Sequence, residues 1–204
     1  MTLTADQINA TIRYANWSAF RLRSPLDDPI RAQVEFTSCV DRLQSRGGAV
    51  RGVYDLRGFR GDASLLLWTH APRADDIQES LRDLSRSSWG RCLEPTWSGM
   101  GVHRPAEFNR DHVPGFLTDP VARSWVCVYP FVRSYDWYLL PEAERRALLA
   151  EHGRAGAEFP TITSSTLASF ALGDYEWLLA LEADEPHEIV DLMRHLRSTR
   201  ARLY

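Results

Sequence analysis

The chain has 204 residues and no lysine; all 24 of its basic residues are arginine. A GC-rich genome accounts for such a bias without chemistry, but a chemical consequence stands regardless. A lysine Schiff base is impossible, which removes aldolase and pyridoxal-phosphate reactions. Any ligand carboxylate must be met by arginine, whose planar fork can bind it bidentately. Cysteine is scarce as well. Cys39, Cys92 and Cys127 are odd in number and widely spaced, so they fit no disulfide framework, zinc pattern or haem-attachment motif. Reduced thiols in a cytoplasmic protein are the expectation. No apolar run approaches the roughly 20 residues that span a bilayer. The segment from Met1 to Asp6 lacks the basic and apolar regions of a signal peptide. Net charge is only -3. There is no basic excess for nucleic acid and no cationic amphipathic stretch for a membrane surface. The length suits one large domain or two small ones with a real core.

What is present is a repeat. At a constant offset of 112 positions, Leu66 matches Leu178, Leu67 matches Leu179 and Ala71 matches Ala183. The register continues through Ile77 and Ile189, Leu81 and Met193, Arg82 and Arg194, and Leu84 and Leu196. Each copy reads as a short strand, a turn and an amphipathic helix. Two unrelated strand-helix units could match by chance, but an unbroken register points to duplication.

The flanking patterns repeat too. The first half reads as strand Ile12–Leu22, helix Pro29–Arg46, hairpin Ala49–Leu56 and Ser64–Thr69, helix Ala74–Arg86 and strand Pro95–Val102. The second reads as strand Ser124–Val132, helix Pro141–Arg154, hairpin Thr161–Ala171 and Tyr175–Glu182, and helix Glu185–Arg197. The predicted hairpin turn is Leu172-Gly173-Asp174. This order is βαββαβ twice, with the last strand missing. The fold class is therefore α+β: two ferredoxin-like modules of the dimeric α+β barrel type, divided as residues 1–115 and 116–204.

The most informative stretch runs from Val128 to Pro141. It joins an apolar strand to a helix and carries Tyr129 and Arg133 four residues apart. His152 lies near the end of that helix, and His112 lies upstream in a polar loop. Each has an ordinary reading. Tyr129 can be strand packing with a satisfied hydroxyl. His152 can be a surface histidine favoured by the helix macrodipole, followed by a C-cap Gly153. His112 can be an exposed loop residue. Pro130 is expected to end the strand and turn the Tyr129 phenol into a cleft.

In this order, the Tyr, the Arg and the two His closely resemble the actinobacterial coproheme decarboxylases of the chlorite dismutase-like superfamily. The resemblance covers nearly the whole chain. It implies that His152 is the proximal ligand of a porphyrin iron and His112 a distal base for hydrogen peroxide. It implies that Tyr129 becomes a radical and that Arg133 binds a propionate. Trp137 would sit beside the porphyrin edge. Arg197 would bind another propionate unless it is simply a solvated helix arginine, and Ala201 would line the pocket. The implied substrate and redox centre is iron coproporphyrin III, and the implied product is haem b. Family members run on past the position of Tyr204, so any wall or contact from such a tail is open. Chlorite dismutation and non-catalytic haem binding on the same fold are the alternatives. The expected assembly is a homo-oligomer, most simply a pentamer, with transient contact to a coproporphyrin ferrochelatase.

Overall fold

A computed structural model describes residues 4–204. Contacts divide them into two compact units, residues 11–103 and residues 4–10 with 104–204. The stretch 104–115, which the sequence reading gave to the first module, thus lies with the second, and it carries His112.

Within residues 11–103 the elements are β1 (Tyr14–Leu22), α2 (Pro29–Ser45), β2 (Ala49–Asp55), β3 (Leu65–Ala71), α3 (Ala74–Arg86), the short α4 (Ser88–Arg91) and β4 (Leu93–Val102). A short helix α1 (Ala5–Asn9) precedes them in sequence. The strand order is β2-β3-β1-β4, all antiparallel. This is the ferredoxin-like order expected of a βαββαβ chain. Helix α2 starts where Asp28 accepts a hydrogen bond from the Arg31 N–H at 2.9 Å and Pro29 takes the first turn. A capping oxygen and a proline whose missing N–H costs nothing there both favour a helix start.

The second unit holds α5 (Gly115–Thr118), β5 (Trp125–Phe131), α6 (Glu142–Gly156), β6 (Thr163–Ala168), β7 (Trp177–Ala183) and α7 (Pro186–Leu196). Its strands run β6-β7-β5, again antiparallel. This is the same order with the fourth strand lacking. In the first unit β4 pairs along β1; in the second, β7 is the single strand partner of β5 among the described residues. The chain ends in a 3-10 turn, Arg200–Leu203.

The repeat is visible in the packing. Ala71 and Ile77 are fully buried together with Leu43, and Leu81 packs against them. Their counterparts Ala183 and Ile189 are buried with Leu181 and Leu192, and Met193 packs against them. Burying a side chain of this size contributes about 1.5–3 kcal/mol, so each matched isoleucine anchors its helix to its sheet. The strand registers match as well. Ser18 faces Leu67 across β1 and β3, and Tyr129 faces Leu179 across β5 and β7. Ser18 therefore holds in the first unit the place of Tyr129 in the second.

Two local expectations are corrected. Strand β5 does not stop at Pro130 but runs on to Phe131, with Pro130 opposite Leu178. A proline is tolerated there because an edge strand needs no N–H on its open side. The second hairpin is not closed by a tight turn at Leu172-Gly173-Asp174. Its connection spans residues 169–176, closed by the Ser169 N–H donating to the Glu176 carbonyl at 2.7 Å. Within it Ala171 adopts the left-handed φ of 59°.

Candidate active site

All the residues singled out by the Tyr-Arg-His pattern lie in the second unit. Tyr129, 36% exposed, is on the edge strand β5. Its ring stacks on Phe131, centroids 6.1 Å apart. Tyr135 is 97% exposed and Tyr138 is hydrogen-bonded elsewhere, so Tyr129 is the tyrosine set on the strand itself.

Arg133 follows the strand and is half-buried. Its guanidinium carbon lies 4.3 Å from the centre of the Trp137 ring and 5.6 Å from that of Phe131. Burial lowers its pKa, with the Tyr138 and Glu176 charges opposing the shift. Its backbone N–H donates to Glu176 at 3.0 Å. Among the described residues no ion pair holds its side chain. A half-buried guanidinium braced by rings and lacking a carboxylate partner is a natural receptor for a ligand's carboxylate.

Trp137 is buried at 4% exposure, between Arg133 and Tyr204. It therefore acts first on Arg133. Its indole is not an open face. Ala201 is also buried, within the terminal 3-10 turn. Arg197 is exposed at the C-cap of α7, with no ion pair among the described residues.

His152 stands one turn beyond the buried Leu148 on α6. Its Nδ1 lies 3.3 Å from Thr199 Oγ1. That hydroxyl already donates its proton to the Leu196 carbonyl at 2.8 Å, so it can only accept from the imidazole. This sets the proton on Nδ1 and leaves the Nε2 lone pair with no hydrogen-bond partner among the described residues. Burial lowers the pKa of His152, and the nearby Arg133 and His112 lower it further against the opposing Glu151. The imidazole is thus held neutral, the form that ligates metals. His112 is exposed in a turn whose N–H donates to the Asn109 carbonyl at 3.0 Å. Arg133 and His112 each lie within electrostatic reach of His152.

Gly153 is not a C-cap; α6 continues to Gly156. A Cβ built on Gly153 would meet nothing within 4 Å. A glycine inside a helix costs about 0.5–1 kcal/mol relative to alanine, and no packing among the described residues explains it. Open space beside a neutral imidazole suits a flat ligand. No cluster of three or more His, Cys, Asp or Glu is poised for a metal ion among the described residues. An iron at His152 would take its remaining ligands from a group such as a porphyrin. The residues present therefore fit an iron porphyrin with anionic side chains: one neutral imidazole, a nearby half-buried guanidinium and open space at Gly153.

Two contributors escaped the sequence reading. Thr199 sits 47 positions from His152 and no local pattern links them. Glu176 binds both the Arg133 backbone and the Tyr138 hydroxyl from the far side of a loop.

Comparison with known proteins completes the picture. The family model described as chlorite dismutase matches residues 30–204. The coproheme decarboxylase of Mycolicibacterium smegmatis is 46% identical over 203 residues, covering 98% of this chain and 88% of that protein. The coproheme decarboxylase of Staphylococcus carnosus is 26% identical, over 89% of this chain and 80% of that protein. Among solved structures, chlorite dismutase from Candidatus Nitrospira defluvii in complex with imidazole superposes with a TM-score of 0.82 at 21% identity. The match covers 94% of this chain and 84% of that one. It reports on the fold alone. A family model spanning most of the chain and a relative at this identity lead to one conclusion: the chain belongs to the chlorite dismutase family.

Proposed function

We propose that the protein is a hydrogen peroxide-dependent coproheme decarboxylase, which converts iron coproporphyrin III to haem b in haem biosynthesis. The observation that carries this reading is the 46% identity to the mycobacterial coproheme decarboxylase over nearly the full chain. The iron coproporphyrin, as substrate, supplies the metal that activates peroxide and the propionates that are cleaved. Each propionate that becomes a vinyl group releases carbon dioxide, a proton and two electrons, and hydrogen peroxide accepts those electrons to become water.

The side chains divide the work. His152 offers a neutral Nε2 to the iron, with Thr199 fixing its tautomer. Arg133, braced by Trp137, holds a propionate carboxylate, and Arg197 takes another at the exposed end of α7. His112 accepts a proton from peroxide and returns it to the leaving oxygen, as a general base and then acid. Tyr129 loses its phenolic hydrogen and, as a radical, takes one from the propionate β-carbon. Ala201, buried in the terminal turn, offers a small side chain to the pocket wall. Positioning dominates such a step, because a hydrogen atom is transferred only at contact distance.

The test is direct. Ferric coproporphyrin III and peroxide are added and product masses followed; loss of two carboxyl groups per porphyrin is expected. His112→Ala should slow consumption of peroxide more than porphyrin binding, with added imidazole restoring part of the rate. Release of oxygen from chlorite with no decarboxylation would refute the reading. No helix of the described residues is long and apolar enough to cross a membrane; a cytoplasmic setting is part of the proposal and does not follow from that. The assembly we propose is a ring of five subunits, one heterologous interface repeated around an axis. Contact with the ferrochelatase that makes the substrate would be transient. Exposed Ile30, Val34 and Phe59 supply apolar surface for subunit contact; a monomer mass in light scattering on the porphyrin-loaded protein would exclude the ring.

A further inference from the structure

A file of aromatic side chains leads away from Tyr129. Tyr129 stacks on Phe131, and Phe131 stacks on Trp177 with centroids 6.4 Å apart. The Trp177 indole N–H donates to the Tyr138 hydroxyl at 3.3 Å, and that hydroxyl donates to Glu176 Oε2 at 2.7 Å. Phe170 packs edge-on against both Trp177 and Tyr138. Tyr138 is 43% exposed, so the file ends in solvent.

Resting on the proposed decarboxylation, we infer that this file is a discharge route, which carries oxidising equivalents from Tyr129 through Trp177 to Tyr138 when no reactive propionate is present. Each peroxide removes two electrons. With coproheme bound, the propionate supplies both. With haem b bound, peroxide still reacts but that electron source is gone, and the product is what stands to be oxidised next. The file offers other electrons. The Tyr129 radical gains an electron relayed by Trp177 and a proton from solvent, which reaches its partly exposed phenol. Tyr138 loses that electron, and its hydroxyl proton passes along the existing hydrogen bond to Glu176. Glu176 returns the proton to solvent. A small soluble reductant, such as a thiol or ascorbate, then refills Tyr138 at the surface with one electron and one proton.

The order of the stations follows from chemistry. Phe131 is too hard to oxidise and serves as a bridge; Trp177 and Tyr138 are oxidisable. Burial, with the hydrogen bond to Glu176, pushes the Tyr138 phenol up to about 12. It is therefore protonated at neutral pH, and losing an electron requires a place for its proton. The carboxylate already in contact provides one. Tyr135 has no such acceptor among the described residues and is 97% exposed.

The test uses the whole protein loaded directly with haem b, then given peroxide and a nitroso spin trap, with adducts mapped by mass spectrometry. The adduct is expected on Tyr138, and Tyr138→Phe should remove it and hasten bleaching of the haem. Trp177→Phe, which keeps a ring in place, should cut Tyr138 labelling several-fold. Glu176→Gln should do the same by removing the proton acceptor. Tyr138→Phe should still turn coproheme into haem b with stoichiometric peroxide. Diffusing radicals would label fully exposed Tyr135 at least as heavily as Tyr138, and that result would overturn the inference. So would Tyr138 labelling unchanged by Trp177→Phe, or none at all. Because haem b is supplied directly, the outcome is independent of whether the chain makes it.

Discussion

Replacing Thr199 by valine tests the geometry of the site with least disturbance. Valine keeps the branched shape and removes the hydroxyl that accepts from His152. The cost to folding is bounded by the structure. The Leu196 carbonyl loses the hydroxyl at 2.8 Å but keeps the Thr199 backbone N–H at 3.2 Å, so no carbonyl is orphaned. Net loss of one neutral hydrogen bond is about 0.5–1.5 kcal/mol. The cost to iron binding follows the same scale. Partners of metal-bound histidines are worth about 10- to 100-fold in affinity when they are strong. Here the acceptor is uncharged and the contact is 3.3 Å, long for a hydrogen bond. The weaker scale then applies, and about a 2- to 10-fold loss in affinity for ferric coproporphyrin III is expected. Tryptophan-fluorescence quenching measures the affinity, and resonance Raman of the ferrous complex reads the iron–imidazole vibration. That vibration should shift in Thr199→Val and return in Thr199→Ser. Unchanged affinity and vibration in Thr199→Val would falsify the role given to Thr199, as would a serine variant no better than valine.

Further outcomes follow from the same geometry. Tyr129→Phe keeps the ring stacked on Phe131 and removes only the hydroxyl, so porphyrin binding should persist while product masses show no decarboxylation. Gly153→Ala should stabilise the porphyrin-free protein by about 0.5–1 kcal/mol in denaturant melts, whereas Gly153→Phe should block porphyrin uptake. Loss of stability in Gly153→Ala would mean the glycine serves the backbone instead. His70 accepts from Arg13 at 3.0 Å, and burial with the Arg13 and Arg51 charges drives its pKa down to about 3. A histidine with a depressed folded pKa stays neutral when folded but binds a proton when unfolded. Its stability contribution is intact above pH 6.5 and lost as pH falls from there toward about 3. Denaturant melts between pH 6.5 and pH 4.5 should therefore lose up to about 1.4 kcal/mol per pH unit from this group, and His70→Gln should flatten that slope.

Much of the fold was legible because the repeat is written in core residues. Ala71, Ile77 and Leu84 recur as Ala183, Ile189 and Leu196 at one offset, and those positions lie in or pack against the core in both units. Helix α3 was bounded at Ala74 and Arg86, as the structure has it. Turn-scale features were not legible. Short α1, α4 and α5 have too few residues for a periodic pattern, and the 169–176 loop closes by backbone bonds that no residue type announces. In the candidate site, the residues proposed to carry chemistry could be named along the chain, but the contacts that hold them could not. Thr199 and Glu176 act through contacts that only folding creates. Trp137 is expected at a porphyrin edge, and its packing between Arg133 and Tyr204 is a further contact that no local pattern announces.

The equivalence of Ser18 and Tyr129 has an evolutionary consequence. The first half has the same strand order and the matched isoleucine while holding a serine at the place of the Tyr129 phenol. Ser18 there is buried and donates to Asn16 Oδ1 at 2.6 Å, so the position has been absorbed into a polar core. The molecule thus records that this ferredoxin-like framework folds with either a serine or a tyrosine at this position of its first strand. Selection on the tyrosine and selection on the framework can proceed separately, leaving one half free to specialise while the other serves as inherited scaffold.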